Sequence, residues 1–157
     1  FCIYHASEIT MITCLGASVK INAYDIHAII INHTEITSLE WFLWDEGVPT
    51  NAFNHAINNS NVSAMSLSDL FCVERHKTQF LELVKNKLDI VFANEQEILS
   101  LIHADSFNEV ISFSKELKKN IIITRGLEGS VARNNNEVIE CNAKKNLNRN
   151  DHTEAGV

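Results

Sequence analysis

The sequence predicts an α/β protein built on a mainly parallel β-sheet with helices on both sides. Short apolar segments alternate along the chain with segments in which apolar residues recur at helical spacing. The segment NIIITRG (120–126) is apolar without alternation, which is typical of a strand covered on both faces. Its 157 residues, 45% of them hydrophobic, can bury one core. We therefore expect a single three-layer αβα, Rossmann-like sandwich.

The first half of the chain contains three predicted strands and two predicted helices. Strands are expected over 10–21, 36–47 and 61–68, because these segments are rich in β-branched and apolar residues. A short helix is expected over 23–30. Pro49 stands where a second helix can begin, and apolar residues follow it at helical spacing: Ala52, Phe53, Ala56 and Ile57.

The second half repeats the alternation. An amphipathic helix is predicted over 73–86, with its apolar stripe formed by Val73, Phe80, Leu83 and Val84. A strand over 88–93 and a short helix over 95–102 follow. Ser106 and Glu109 match a capping box, so a helix should run from there to about Lys119. The strand 120–126 and a hairpin over 129–141, turning at three Asn residues, complete the prediction.

Composition excludes several classes of function. The net charge is −7, and the basic residues are scattered, so no stripe suits a nucleic-acid backbone. No apolar stretch approaches the roughly 20 residues of a membrane span, and the N-terminus has no signal-peptide pattern. The four cysteines Cys2, Cys14, Cys72 and Cys141 include no C-x-x-C pair, which suits reduced thiols. A cytoplasmic protein without nucleic-acid or membrane partners is expected.

Polar residues stand at the ends of two predicted strands and at the expected start of a further helix. Asn94 and Glu97 come just after one strand, TRG (124–126) after another, and DHTEAG (151–156) where a further helix would begin. Ligands of open α/β sheets bind at the carboxyl ends of the strands, near a switch in strand order. A carboxylate there can hold Mg²⁺, and helix-start N–H groups can hold phosphate. Taken alone, Asn94 is better explained as the N-cap of a solvated helix, and only its company with TRG and DHTEAG favours a ligand site.

Two pairs of residues at chemically suggestive spacing have simpler explanations. Cys72 and His76, four residues apart, match a nucleophile and its base, but a buried thiol beside an exposed helix face accounts for both. Cys2 and His5 match half of a metal site for which the sequence offers no second half.

Two further groups lie near residue 44. Asp45 and Glu46 resemble an acid pair, but an acidic turn that ends a strand explains them. Trp41, Phe42 and Trp44 have the side chains to stack on a base or a sugar ring, yet alternate residues of a strand more often face a core.

Longer stretches of the sequence resemble a known family. LSDLFCVERHKTQFLELVKNKLDIVFANEQEILSL (67–101), IIITRGLEGS (121–130) and DHTEAG (151–156) are similar, in order and spacing, to the ribokinase/PfkB carbohydrate and nucleoside kinases, most closely the adenosine-kinase-like branch. The resemblance covers nearly all of the chain but only the middle of the family's domain. It implies a ribokinase-like fold over 1–157, truncated at both ends, without the N-terminal substrate and lid part or the C-terminal helices.

The resemblance also implies roles for individual residues. Asn94 and Glu97 match the pair that organises Mg²⁺ and the nucleotide phosphates, with Glu97 as the metal residue. The nucleotide-contacting turn corresponds to Thr124, Gly126 and Gly129, with Arg125 beside it. DHTEAGV corresponds to the family's D-T-T-G-A-G-D, in which helix-start N–H groups form an anion hole; the matching positions here are Thr153, Ala155 and Gly156.

Two positions depart from that last motif. Val157 stands where the family has the Asp that takes the substrate's proton, and loss of a general base costs roughly 10²–10⁴ in rate. Glu154 replaces a glycine of the anion hole, where its charge about 5 Å from a phosphate costs on the order of 3 kcal/mol at an effective dielectric near 20. No catalytic residue is therefore assigned.

The predicted function is that of an ATP- and Mg²⁺-dependent phosphotransferase acting on a sugar or nucleoside hydroxyl, with impaired activity in this chain. The alternative is a non-catalytic nucleotide-binding remnant, or one half of a split kinase that pairs with a complementary half or forms a homodimer.

Overall fold

The computed structural model describes residues 2–5, 8–11, 16–40, 44, 49–117, 119–134 and 137–144. Within these ranges the elements, in chain order, are β1 (Cys2–His5), β2 (Glu8–Met11), α1 (Ala28–Asn32), β3 (Thr37–Glu40), α2 (Pro49–Asn59), β4 (Ser63–Ser66), α3 (Leu70–Asn86), β5 (Ile90–Asn94), α4 (Glu95–Ile102), α5 (Phe107–Leu117), β6 (Asn120–Thr124), β7 (Ser130–Asn134) and β8 (Glu137–Cys141). The predicted α/β class is confirmed.

The strands form one hairpin and one larger sheet. β1 and β2 pair with each other in antiparallel orientation. The larger sheet has the order β3-β4-β5-β6-β7-β8, so each strand lies beside the next one along the chain. β3 to β6 are parallel, whereas β7 and β8 continue the sheet in antiparallel orientation. The mainly parallel sheet with a small antiparallel end matches the prediction, but the order of the described strands nowhere reverses.

The helices α2 to α5 cover one face of this sheet. Each helical crossover from β3 to β6 moves one strand in the same direction, and such connections are right-handed in nearly all proteins, so consecutive crossovers fall on the same side. The core agrees with this arrangement. It joins alternate strand residues, among them Met65, Val91 and Ile121, to helix residues such as Phe80 and Ile98, and all of these are fully buried.

The predicted elements after residue 49 are confirmed with small shifts in their ends. The apolar residues predicted to form helical stripes are buried in α2 and α3: Ala52, Phe53, Ala56, Ile57, Val73, Phe80, Leu83 and Val84. Helix α3 is capped by Asp69, the residue before its first turn, whose carboxylate accepts a hydrogen bond from the Phe71 N–H and so satisfies one free donor of that turn. The predicted hairpin is present as β7 and β8, although residues 135 and 136 of its turn lie outside the described residues.

The predictions before residue 49 are less accurate. The strand expected over 10–21 is wrong beyond Met11 for the described part, because residues Gly16–Lys20 form a 3-10 helix. Gly16 has a positive φ of 59°, which interrupts any extended segment. The helix expected over 23–30 is divided into a 3-10 turn, Ala23–Asp25, and α1. The strand expected over 36–47 is described only as far as Glu40.

Candidate functional site

The carboxyl end of β5 and the start of α4 are joined by reciprocal hydrogen bonds between Asn94 and Glu97. Asn94 Oδ1 accepts from the Glu97 N–H at 2.8 Å, and Glu97 Oε2 accepts from the Asn94 N–H at 2.9 Å. Asn94 Nδ2 also donates to Glu97 Oε1 at 2.9 Å. These contacts form a capping box, which satisfies two backbone donors that a helix start leaves free. The spacing Asn-x-x-Glu therefore has a structural role, as the N-cap interpretation predicts.

The Glu97 carboxylate is nevertheless in an unusual place for a capping residue. Glu97 is only 4% exposed, and it is the one glutamate in the buried core of the described residues. Burial raises the pKa of Glu97, the hydrogen bond from the Asn94 backbone opposes the rise, and the nearby Asp69 carboxylate adds to it. The site thus holds the buried carboxylate of Glu97 with the Asp69 carboxylate near it. Two acidic groups at one place favour the binding of a cation there.

Thr124 lies directly beside Asn94. The two residues are register partners in the parallel strands β5 and β6, so both stand at the carboxyl edge of the sheet. Together with Glu97 they line an open pocket of about 320 Å³. The remaining lining residues are Ser66, Ser68, Phe92, Ala93 and Ile122. The structure therefore brings three of the predicted site residues to one concave surface.

Gly126 and Gly129 lie in the turn that follows Thr124 and do not line this pocket. The turn is closed by hydrogen bonds from the Arg125 N–H to the Gly129 carbonyl at 2.8 Å and from the Gly129 N–H to the Gly126 carbonyl at 3.1 Å. Both glycines have positive φ. A Cβ on Gly129 would also overlap the Cys141 carbonyl oxygen and lie 2.7 Å from the Ala143 nitrogen. Gly129 is therefore required by the close approach of the chain after β8.

Arg125 points from this turn toward α4 and α5. Its Nε donates to Glu95 Oε2 at 2.9 Å and its second guanidinium nitrogen to Glu95 Oε1 at 3.3 Å. The guanidinium carbon lies 3.8 Å from the centre of the Phe107 ring, close enough for a cation–π contact. Arg125 therefore links the turn after β6 to Glu95, the first residue of α4 and the neighbour of Asn94. Its guanidinium group contacts the Glu95 carboxylate and the Phe107 ring.

The remaining predicted site residues lie outside the described part of the chain. These are Thr153, Ala155 and Gly156, together with the substituted positions Glu154 and Val157. Their predicted nucleotide-binding and catalytic roles stay predictions.

The other candidates from the sequence are placed only in part. Cys72 is buried, as its structural explanation requires, and the His76 ring lies 5.7 Å from the Phe80 ring. Trp44 is buried, with its ring against Phe53 and Phe80, and its Nε1 donates to Gln79 Oε1 at 2.7 Å. Trp44 therefore belongs to the core. Four of the candidates lie outside the described residues: Trp41, Phe42, Asp45 and Glu46. The side chains of Cys2 and His5 are not described.

Five residues that line the pocket have no counterpart among the predicted site residues. Ser66 and Ser68 lie at and just after the end of β4, and the apolar members are Phe92, Ala93 and Ile122. Asp69, which contributes to the raised pKa of Glu97, is a sixth neighbour. One signal for this segment was available: Ser68 ends the predicted strand 61–68 and Asp69 immediately follows it, in the same position that singled out Asn94.

The fit of the site to Mg²⁺ can be judged from its donors. The described residues contain no group of three or more His, Cys, Asp or Glu side chains that could enclose a metal ion. Mg²⁺, however, is commonly held by one or two carboxylates, with water and substrate phosphates completing its octahedron. Glu97, whose two carboxylate oxygens each accept a single described hydrogen bond, fits that kind of site.

No protein-family model matches the sequence, and a search of curated proteins gives no significant match. Solved structures do match. The chain is similar to the adenosine kinase of Sinorhizobium meliloti, with 33% identity and a TM-score of 0.87 over 96% of this chain and 48% of that one. A probable sugar kinase of Rhizobium etli CFN 42 matches with 33% identity and a TM-score of 0.84, over 96% of this chain and 47% of that one.

A more distant match shows the fold alone. A putative ribokinase II of E. coli, solved in complex with ATP and Mg²⁺, has 18% identity and a TM-score of 0.71 over 87% of this chain and 46% of that one. The resemblance to the ribokinase/PfkB kinases is thus confirmed, and the chain spans about half the length of these kinases. None of the helices in the described ranges combines the length and apolar character needed to cross a bilayer.

Proposed function

We propose that this chain is the nucleotide-binding part of a PfkB-type kinase, which uses ATP with Mg²⁺ to phosphorylate a hydroxyl of a sugar or nucleoside. The observation that carries the proposal is the convergence of Asn94, Glu97 and Thr124 on one pocket at the carboxyl edge of parallel strands. Ligands of open α/β sheets bind at that edge. The 33% identity to an adenosine kinase and a probable sugar kinase supports the choice of reaction.

The charges in the pocket favour Mg·ATP over free ATP. Among the described residues that line the pocket none is basic, and Glu97 is acidic. A triphosphate alone would be repelled by this carboxylate and by the neighbouring Asp69. Glu97 would hold the Mg²⁺ ion of Mg·ATP, and the charge of that ion would offset both the repulsion and the cost of the buried carboxylate. Mg²⁺ supplies neutralisation of phosphate charge when it is bound.

The protein groups beside the ion have complementary tasks. Asn94 Nδ2 carries two hydrogens, of which Glu97 uses one, so the second is free to donate to a phosphate oxygen or to a metal-bound water. Thr124, the register partner of Asn94 on β6, lines the same pocket and offers a hydroxyl as a further donor. The capping box holds Glu97 in a fixed orientation, which spares the site the cost of ordering the carboxylate when the nucleotide binds.

Catalysis by this chain alone should be weak or absent. Val157 cannot accept a proton from the acceptor hydroxyl, and Glu154 places a negative charge in the segment proposed to bind the transferred phosphoryl group. We assign no residue of this chain to binding of the acceptor sugar or nucleoside. We propose a cytoplasmic location, which the four widely spaced cysteines of the sequence, with no C-x-x-C pair among them, support.

A second candidate is a non-catalytic nucleotide-binding module, or one half of a split kinase. It is favoured by Glu154 and Val157, which depart from the motif that the resemblance assigns to the anion hole and the proton acceptor. The two candidates differ in turnover and not in nucleotide binding.

Isothermal titration calorimetry with Mg·ATP tests the shared part of both candidates. Wild-type chain should bind Mg·ATP and lose most of its affinity in EDTA. Glu97→Gln should weaken binding at least tenfold, because the charge that holds the ion is removed. Asn22→Ser is the control, since Asn22 caps an exposed 3-10 turn with the same spacing. Absence of binding to wild type, or equal affinity in Glu97→Gln, would refute the nucleotide site.

A coupled ADP-release assay with adenosine or ribose separates the two candidates. No turnover is expected from the isolated chain. Measured turnover would contradict the proposed impairment and assign the kinase activity to this chain itself.

A further inference from the structure

A side-chain bridge lies directly after the last backbone pair of β5 and β6. The register of these parallel strands ends at Asn94 and Thr124, which both line the pocket. Glu95 and Arg125 are the next residues along the two segments, and here the backbones separate, one into α4 and the other into the turn before β7. The ion pair between Arg125 and Glu95 therefore continues the strand pairing by one step, with side chains in place of backbone.

The geometry of this bridge is fixed at two points. Arg125 donates to both carboxylate oxygens of Glu95, through Nε at 2.9 Å and through Nη2 at 3.3 Å. Two-point contacts of this kind set the relative orientation of a guanidinium group and a carboxylate. The two side chains are only 21% and 28% exposed, so the pair is screened less than a surface pair would be. The Phe107 ring of α5 covers one face of the guanidinium group.

The guanidinium group of Arg125 faces protein carboxylates. Its third nitrogen, Nη1, lies 3.7 Å from Glu128 Oε2, so each of its nitrogens has an acidic neighbour. Neither Arg125 nor Glu95 is among the described residues that line the pocket. A phosphate group that approached Arg125 would be repelled by the carboxylates of Glu95 and Glu128. This arrangement does not suit Arg125 to direct contact with a nucleotide.

We infer that Arg125 is a positioning residue of the nucleotide site, which acts through Glu95 and does not itself contact the nucleotide. The inference rests on the proposed function. Glu95 directly follows Asn94, whose side chain and N–H are bonded to Glu97. Arg125 directly follows Thr124 in the same way. The bridge therefore holds two parts of the pocket edge, the capping box on one segment and Thr124 on the other, in one relative orientation.

Isothermal titration calorimetry with Mg·ATP, at a temperature at which circular dichroism shows every variant to be folded, tests the inference. Arg125→Ala should weaken binding at least about fivefold, because residues that orient the groups of a site contribute to its affinity. Glu95→Ala should weaken binding by the same factor. A direct contact of Arg125 with phosphate predicts the opposite sign for Glu95→Ala, since this variant removes a negative charge and frees the guanidinium group.

The double variant Arg125→Ala/Glu95→Ala completes a thermodynamic cycle. Because the two residues act as one unit, the double variant should bind Mg·ATP within about twofold of either single variant. Arg125→Lys keeps the charge but not the planar two-point contact, so it should bind at least about threefold more weakly than wild type.

Arg133→Ala is the matched control. Arg133 lies on β7 and is not among the described residues that line the pocket. Its loss changes the net charge by the same amount as the loss of Arg125, so it measures any general effect of charge on an anionic ligand. Its affinity for Mg·ATP should stay within about twofold of wild type.

Hydrogen exchange followed by nuclear magnetic resonance reports whether Arg125 acts on the start of α4. The Glu97 N–H is protected by its hydrogen bond to Asn94 Oδ1. Without nucleotide, its exchange should be at least about fivefold faster in Arg125→Ala than in wild type, because the first turn of α4 opens more often. The Ser63 N–H, which donates to Asp89 Oδ2 at the other end of the sheet, should exchange at an unchanged rate.

The possible failures can be told apart. A wild-type chain that does not bind Mg·ATP would refute the proposed function, and the inference would fall with it. A wild-type chain that binds, with unchanged affinity in Arg125→Ala, would overturn the inference alone. Unchanged or tighter binding by Glu95→Ala, full affinity in Arg125→Lys, an equal loss in Arg133→Ala or unchanged exchange of the Glu97 N–H would also overturn it.

Discussion

Replacing Asn94 by Ala should destabilise the chain far more than a surface cap would. The substitution removes two hydrogen bonds, one from the Glu97 N–H to Asn94 Oδ1 and one from Asn94 Nδ2 to Glu97 Oε1. Loss of a helix cap costs about 1 kcal/mol. Loss of a hydrogen bond to a charged group costs roughly 1.5–3 kcal/mol, and the upper part of that range applies to a buried carboxylate. The free energy of unfolding should fall by about 3 kcal/mol.

Urea unfolding at pH 7, followed by far-ultraviolet circular dichroism, measures this change. Asn22→Ala is the control. Asn22 also caps a helical turn, with its Oδ1 accepting from the Tyr24 N–H and its own N–H donating to Asp25 Oδ2, but this 3-10 turn is exposed. The Asn22→Ala substitution should cost about 0.5 kcal/mol, near the lower limit for caps. The slope of unfolding free energy against urea should match wild type in both variants.

The losses of unfolding free energy in Asn94→Ala and Asn22→Ala decide between support and refutation. If Asn94→Ala loses less than about 1 kcal/mol, or no more than Asn22→Ala, the buried Glu97 does not depend on Asn94 and the reasoning about the site is refuted. A loss near 3 kcal/mol with unchanged slope supports it.

Three further predictions concern neighbouring features. Because burial raises the pKa of Glu97, the folded chain binds its proton more tightly than the unfolded chain does, so the free energy of unfolding should fall as pH rises above 4.5 through the raised pKa. Glu97→Gln should remove this decline in urea titrations between pH 4 and 7, and a decline that persists in the variant would assign it to another group. Arg125→Ala should lower the free energy of unfolding in urea by about 1–2 kcal/mol, because it removes the ion pair with Glu95 and the cation–π contact with Phe107. Glu128→Ala should lower it by under about 0.5 kcal/mol, because Glu128 is 70% exposed. Equal losses would argue against a stabilising role of these two Arg125 contacts. Gly129→Ala should lower the free energy of unfolding by at least about 3 kcal/mol or prevent folding, because its Cβ would overlap the chain after β8. Gly16→Ala has open space around it and should lose only the roughly 1–2 kcal/mol that a positive φ costs. Similar melting temperatures for the two variants would contradict the close approach at Gly129.

The central part of the site was predictable because its signals are local. Asn94 and Glu97 interact across one helical turn, and Thr124 follows an apolar segment whose pairing with β5 is the simplest arrangement for consecutive parallel strands. The alternation of strands and helices after residue 49 was predictable for the same reason, since each helix carries its own apolar stripe.

The sequence was less informative where structure depends on contacts made across the chain. Arg125 was expected beside a nucleotide, but its pairing with Glu95 and Phe107 depends on three separate elements meeting. The exposure of Phe92 could not be predicted either, because an apolar strand looks the same whether its second face is covered or open. The hairpin β1–β2 was missed because the two residues between its strands, Ala6 and Ser7, are not the Gly, Asn or Asp typical of tight turns.

The order of the strands has a consequence for how segments can be gained or lost. In the described sheet every strand touches only its predecessor and its successor along the chain, so no strand is inserted between two that are already paired. β3 and β8 are therefore the two edge strands of the described sheet. Adding or removing a strand at either end of this order changes an edge and keeps the pairing of β4 to β7. Such an arrangement can be divided between polypeptides more readily than one in which the first and last segments interleave.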